Sequence, residues 1–449
     1  MIRSARIFTQ DATPRDGYAV IVPSKAPLLN PSPQLKKALA VGVFFTWWMR
    51  AQRHVETWSP SRRRTFFIAF ALIGVSARFW AQAQPPNWDF GQWVNVSTAA
   101  LAGQDPYSTY GYNYPPPWLG ILTALNWATD SNESFRLLIA LLLAAVDLGI
   151  ALILVQRGYS LAAWIYLLSP IAITISGQHQ QVEGIAIFLA FAGLALISTS
   201  DSLNLTKIDW LAALLLGLSL SFKPIFLVLP LWLLMWKTSW PRRLVLAGMP
   251  FVVFGVALAS AFVLYPPAEV LRRVLGHNSM NDSPFINTFV PQQATSWALE
   301  IGAGKVVFVV ILIGLGYFLR TLPAFELGLA YTLAAVLFSW AVANQYLVTP
   351  MAAVAIYLNL GFLIWFGLVS LYFAGAPGIL NLPGFREIQP HLLLEYNVVM
   401  QDFFPWLLVG WLTYVVAIQR PNLVYVPAKT GTGSHKAHKN SGSENHGHL

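Results

Sequence analysis

Between residues 65 and 419 the chain repeats one pattern: a run of Leu, Ile, Val, Ala and Phe, then a short polar break. A helix needs about 20 apolar residues to cross a hydrocarbon core of about 30 Å. Only helices and closed barrels satisfy their backbone polar groups in such a medium. Barrel strands would show weaker segments of about ten alternating residues, so the pattern predicts an all-α polytopic membrane protein. Charge agrees with it. Only 10% of the 449 residues are charged and 56% are apolar, against about 25% charged in soluble domains, which excludes an ordinary soluble enzyme. Cysteine is absent, which excludes disulfides, thiolate metal sites and a Cys nucleophile.

Three regions follow from the distribution of polarity. Residues 1–63 form a basic tail, expected on the cytoplasmic side; through Arg64 it carries eleven Lys or Arg. It contains an apolar stretch, Ala38 to Met49, with Trp47 and Trp48 after two lysines, which suits a helix lying in the membrane interface. The start lacks the apolar core and cleavage site of a secretory signal, so the first span is expected to be retained. Residues 64–419 form the membrane domain, with twelve spans expected at 65–82, 135–155, 159–176, 182–200, 209–222, 224–237, 243–265, 303–320, 324–341, 346–357, 359–375 and 403–419. Pro224 and Pro350 predict breaks near helix starts. Residues 420–449, rich in Gly, Ser, His, Lys and Asn, read as a disordered cytoplasmic tail.

Alternating spans from an inside N-terminus leave 21 Lys and Arg on the cytoplasmic side. Seven remain outside: Arg78, Arg136, Lys223, Arg272, Arg273, Lys305 and Arg386. That is the sense of the positive-inside rule, so the net charge of +9 calls for no nucleic-acid partner. The same topology gathers four irregular polar segments on one external face: Asn87 to Tyr114, Ser176 to Glu183, Pro266 to Trp297, and Ala343 to Tyr346. A transporter is expected to place its polar residues near the midplane on broken helices of repeated halves. A polar cleft at one interface suits an enzyme with a lipid-linked substrate, with a transporter or flippase of a lipid-linked or small polar substrate as the alternative.

Asp89 lies just past the first span among Trp88, Phe90 and Trp93. Partial desolvation there would raise its pKa toward that of a general base, although the same position suits a helix cap. A departing phosphate needs cationic partners, and Lys223, Arg272, Arg273 and His277 supply them on the external side; lysine snorkelling and headgroup contact are the structural alternatives. Gln345 and Tyr346 are candidates to hydrogen-bond a sugar or phosphate. Asp147 is a mid-span carboxyl expected to pair with a neighbouring helix. The residues give no metal-ligand cluster.

The order of these landmarks resembles a known family. Asp89 after the first span is followed by a short helix, then Gly-Gln-Asp-Pro-Tyr at 103–107 and a Tyr- and Pro-rich stretch. Ser-Gly-Gln-His-Gln-Gln-Val-Glu at 176–183, Ser-Phe-Lys-Pro at 221–224 and Asn-Gln-Tyr-Leu-Val at 344–348 come later. This arrangement resembles the GT-C superfamily of integral-membrane glycosyltransferases, in particular the bacterial mannosyltransferases of glycosyltransferase family 87 and the eukaryotic enzymes that mannosylate glycosylphosphatidylinositol. The resemblance covers residues 65–360 or so. It implies a GT-C-like bundle with a large first extracytoplasmic loop, set in the bacterial inner membrane with its active site outside. It also implies inverting transfer of a hexose, mannose, from a polyprenyl-phosphate donor to a hydroxyl of a glycolipid or glycan acceptor. That donor is a substrate, and no other cofactor is implied. Asp89 carries over as the base, with Asp105 as runner-up, although Asp105 before Pro106 also suits a turn. Gln178, His179, Glu183, Tyr114, Gln345 and Tyr346 are implied sugar or acceptor contacts. The sequence departs from the family at 178–181, where Gln-His-Gln-Gln stands at positions that the family often fills with Asp or Asn.

Overall fold

A computed structural model describes residues 33–199, 204–276, 303–339, 342–376, 379–382, 384–388 and 404–418. The chain divides into two compact units, residues 1–40 and 41–449. Of the first, only the start of helix α1 (Pro33–Glu56) is described; everything below concerns the second. The C-terminal tail and most of the Pro266 to Trp297 loop lie outside the described residues.

All regular elements among the described residues are helical. The sequence punctuates them with cap residues and prolines. Ser59 and Pro60 start α2 (Pro60–Gln82), and Ser131 starts α6 (Asn132–Gln156). Thr206 and Asp209 form a reciprocal capping box at the head of α10 (Lys207–Phe222). Between α2 and α6 lie α3 (Trp88–Leu101), the single turn α4 (Pro106–Thr109) and α5 (Pro116–Trp127). After α6 the chain forms α7 (Ser160–Leu168), α8 (Pro170–Ile173), a π-helical turn at Thr174–Gln178 and α9 (Glu183–Thr199). Beyond α10 come a 3-10 turn at Pro224–Phe226, α11 (Leu229–Met235), α12 (Trp240–Ala261) and α13 (Pro267–Val274). The last elements are α14 (Ala303–Leu319), α15 (Ala324–Leu337), a 3-10 turn at Asn344–Val348, α16 (Met351–Ile356), α17 (Leu360–Gly375), α18 (Phe385–Ile388) and α19 (Phe404–Ile418).

Helical structure occupies each of the twelve expected runs, but helix length does not make twelve crossings. Among the described residues, α2, α6 and α12 are long and apolar enough to cross a membrane, and the α7–α8 pair, bent by 52°, makes a fourth if read as one broken span. Others, such as Ala324–Leu337 and Leu360–Gly375, have 10–17 residues. The expected breaks at Pro224 and Pro350 are present as 3-10 turns that precede α11 and α16.

Packing adds detail to two expectations. The stretch read as an interfacial helix over 38–49 is part of the longer α1. Its Trp48 indole donates to the Ala355 and Ile356 carbonyls and its Gln52 amide to Ile356, so this face is packed into protein, while Trp47 stays exposed. Arg78, counted as an external charge, is only 1% exposed inside the bundle and forms an ion pair of 2.7 Å with Asp147. The partner expected for Asp147 on another helix is thus Arg78 of α2.

Helix α10 packs against both α9 and α12. At one end of this trio Arg242 Nε meets Asp209 Oδ1 at 2.7 Å, with both side chains buried, and the guanidinium also donates to the Ile197 carbonyl. Removing one partner of such a pair strands the other charge. Arg242→Ala is expected to cost about 3–5 kcal/mol. The same truncation of half-buried Arg243, which holds the Thr238 carbonyl, is expected to cost about 1 kcal/mol. Thermal unfolding of the purified protein in detergent checks both.

Candidate functional site

Three of the four segments that the sequence gathers on one face meet in a polar cluster. It begins at the head of α3. Asn87 caps that helix, its Oδ1 accepting from the Phe90 N–H at 3.2 Å, and its Nδ2 donates to Asp89 Oδ2 at 2.7 Å. Capping therefore falls to Asn87, and Asp89 in the first turn is not consumed by it. Burial raises the Asp89 carboxyl above its ordinary 3.8; Asn87, Lys223 and Gln181 oppose the rise and Glu183 adds to it.

The second contribution comes from the strap between the π turn and α9. Gln180 adopts a left-handed backbone, φ 55°, a conformation that a non-glycine residue holds only when its surroundings fix it. Here the Trp93 indole donates to the Gln180 carbonyl at 3.2 Å, and the Gln180 amide donates to the Arg136 carbonyl at 2.7 Å. The reversal turns Gln181 toward the first loop, where its Oε1 accepts from the Tyr114 hydroxyl at 3.2 Å. It also starts α9 at Glu183, whose fully buried carboxylate lies 2.9 Å from Lys223 Nζ.

Lys223 ends α10 in extended backbone ahead of Pro224. Its ammonium sits 4.2 Å from the Tyr114 ring centroid and 5.1 Å from that of Tyr346, so a carboxylate and two aromatic faces surround it. Tyr346, from the 3-10 turn at Asn344–Val348, brings in the third segment.

Lys223, Tyr114 and Tyr346 also line a cavity of about 280 Å³. Asn113, Gln345, Ser339 and Lys305 complete its polar part. Leu227, Val228, Val274, Leu275, Phe308, Val309 and Val336 make the rest apolar. The chamber thus pairs ammonium groups with a greasy wall, the combination that a phosphate carried on a hydrocarbon chain requires. Among the described residues no three His, Asp or Glu side chains group as metal ligands.

The other expected site residues stand elsewhere. Asp105 caps α4, accepting from the Tyr107 N–H at 2.9 Å and from Ser108 Oγ at 2.8 Å, so its carboxylate serves a turn. Gln178 is fully buried and its amide donates to the Pro85 and Ile379 carbonyls. His179 is buried against Phe373, and burial lowers its imidazole to about 4, leaving it neutral. Neither residue lines the cavity. Arg272 and Arg273 both hold Glu269 on their own helix, depressing that carboxyl to about 2, and neither is on the cavity wall. Their i+3 and i+4 spacing from Glu269 explains the capture. His277 lies outside the described residues. Sequence reasoning missed Asn87, Gln181 and Lys305. Asn87 was visible as a cap two residues before Asp89, Gln181 stood inside the quoted motif, and Lys305 had been used only for topology.

Comparison with known proteins adds one relative. Over 160 residues the chain is 30% identical to an alpha-(1->3)-arabinofuranosyltransferase of Corynebacterium glutamicum. The matched stretch covers 35% of this chain and 36% of that protein, so the chain spans about a third of the relative's length. No family model and no solved structure matches. The similarity is to a glycosyltransferase, with arabinofuranose rather than mannose in its name.

The Asp89 environment has a direct consequence for stability. Its folded pKa lies above the unfolded value of 3.8, so the folded state binds the extra proton and stability falls as pH rises through the folded pKa. Asp89→Asn removes that penalty. The variant is expected to unfold at a higher temperature than the parent at neutral pH, with the gain vanishing below pH 3.8; unfolding scans across pH check it.

Proposed function

We propose that this protein is a membrane glycosyltransferase that moves one glycosyl unit from a polyprenyl-phosphate donor to a hydroxyl of a glycolipid or glycan acceptor, with inversion. The observation that carries the reading is the buried cluster of Glu183, Lys223, Tyr114 and Tyr346, electrostatically coupled to Asp89 and continuous with an apolar cavity. The similarity to an arabinofuranosyltransferase supports glycosyl transfer. It sets a pentofuranosyl donor beside the mannosyl donor that the sequence motifs imply.

In this reading the polyprenyl chain lies along the apolar wall and the phosphate faces Lys223 and Lys305. Asp89 takes the proton of the acceptor hydroxyl as its oxygen attacks the anomeric carbon. The bond from that carbon to the phosphate oxygen breaks on the opposite face, and the charge on the departing phosphate is met by the ammonium groups in a low-dielectric chamber. A single carboxylate suffices because phosphate needs no protonation to leave, unlike the leaving group of a glycosidase. The site is read as extracytoplasmic, in the inner membrane of a bacterium.

Purified protein incubated with polyprenyl-phosphate arabinofuranose and polyprenyl-phosphate mannose is expected to release polyprenyl phosphate from one of them. Asp89→Asn is expected to lower that turnover about 10²- to 10⁴-fold with donor affinity retained. Intact donor after incubation, with movement of the donor between leaflets of a vesicle, would instead favour transport. The orientation is checked separately: in this Cys-free chain, Ser108→Cys is expected to react with an impermeant thiol reagent in whole cells and Ser434→Cys is not.

A further inference from the structure

The buried charge network formed by Arg78, Asp147, Tyr166 and Ser176 lies outside the candidate site, yet it is built around the segment that leads into it. Arg78 Nε donates to Asp147 Oδ2 at 2.7 Å and to Ser176 Oγ at 3.0 Å. Its Nη1 donates to the Gly74 carbonyl at 2.9 Å and to the Leu167 carbonyl at 2.8 Å. The Tyr166 hydroxyl donates to Asp147 Oδ1 at 2.9 Å. One guanidinium thus ties α2 to α6, to the end of α7 and to the π turn.

The contacts fall where the backbone is least regular. Leu167 is the penultimate residue of α7, just ahead of the break that bends the α7–α8 pair by 52°. The helical partner of its carbonyl would be the Ile171 N–H, on the far side of the bend, and Arg78 donates to that carbonyl. Ser176 lies inside the π turn, where the extra residue loosens the ladder, and its hydroxyl bridges Arg78 and the Ala172 carbonyl. Two glycines let the elements approach. A Cβ on Gly177 would lie 2.6 Å from the Arg78 carbonyl, and one on Gly74 would lie 2.8 Å from the Leu167 carbonyl. Three residues after Gly177 the chain makes its left-handed turn at Gln180 and delivers Gln181 and Glu183 to Tyr114 and Lys223.

We infer that Arg78 and Asp147 are positioning residues for the candidate active site: the pair fixes the π turn, and through it the Gln180–Glu183 strap, without touching substrate. A buried pair kept only for stability could be replaced by apolar side chains of similar volume at little cost. This one also supplies directed hydrogen bonds to a bent backbone, which an apolar pair cannot. The inference rests on the glycosyltransferase reading for its kinetic arm alone.

The test compares the parent with Arg78→Met/Asp147→Leu, in which no charge is left stranded, and with Arg78→Lys. The double variant is expected to fold with an unfolding temperature below the parent's, because the Leu167 carbonyl and the Tyr166 hydroxyl lose these partners. Its kcat for sugar transfer is expected to fall about 100-fold, the scale of a small misplacement of catalytic groups, with the donor KM within about twofold because binding groups remain. Amide hydrogen exchange in detergent is expected to rise over residues 174–183 and to stay at parental levels in α9, α10 and α12. Arg78→Lys keeps the charge but not the forked donors, and is expected to show the same local rise. Parental kcat together with parental exchange in the double variant would overturn the inference. A uniform rise in exchange through every helix would also overturn it, in favour of a purely stabilising pair. Should the parent transfer no sugar, the exchange measurement still decides whether the pair holds the strap, so failure of the functional reading and failure of this one are distinguishable.

Discussion

A charge buried in an apolar helical bundle must find its partner inside the protein, and among the described residues three such pairs hold irregular parts of the chain in place. Arg78–Asp147 ties α2 and α6 to the bent α7–π segment, Arg242–Asp209 joins α12 to the capped head of α10, and Lys223–Glu183 joins the tail of α10 to the head of α9. Each sits where a helix begins, ends or breaks. At such points backbone groups lose their helical partners, and a guanidinium or carboxylate can serve backbone and counter-ion together. Arg242 does so at the Ile197 carbonyl and Arg78 at the Leu167 carbonyl. The pairs act less as a source of net stability, which desolvation largely offsets, than as a constraint on which elements can be neighbours.

That constraint explains which parts of the molecule were legible beforehand. Apolar runs and cap residues are local signals, and they located the helices closely: the expected run at 359–375 is α17 from Leu360 to Gly375, capped by Asn359. Breaks at Pro224 and Pro350 were legible for the same reason, since proline acts through its own ring. Pairing is not local. Arg78 and Asp147 are 69 residues apart, and nothing in either neighbourhood distinguishes an arginine snorkelling outward from one folded inward. Counting Arg78 as an external charge was the natural outcome of treating each span alone.

The candidate site shows the same division. Asp89, Tyr114, Glu183, Lys223, Gln345 and Tyr346 were legible because short polar segments between apolar runs have to share a face. Which residues of those segments turn inward was not legible, because a single left-handed residue, Gln180, sets the direction of the strap. All of Gln178, His179, Gln181 and Glu183 are buried, and it is Gln181 and Glu183, beyond that residue, that meet Tyr114 and Lys223. The arginines of α13 lie one turn after Glu269, a carboxylate of their own helix that both reach.

The division of labour between the two carboxylates of the cluster also follows from packing. Glu183 is fully buried and held by an ammonium that two aromatic rings enclose. Its negative charge is matched in place by that ammonium. Asp89 has no such partner among its direct contacts: its oxygen is met by the neutral amide of Asn87, and Lys223 reaches it only through space. It is also half-buried rather than sealed. The two carboxylates thus differ in setting: Glu183 is a sealed counter-ion to Lys223, and Asp89 is a half-buried group hydrogen-bonded by a neutral amide and raised in proton affinity by burial.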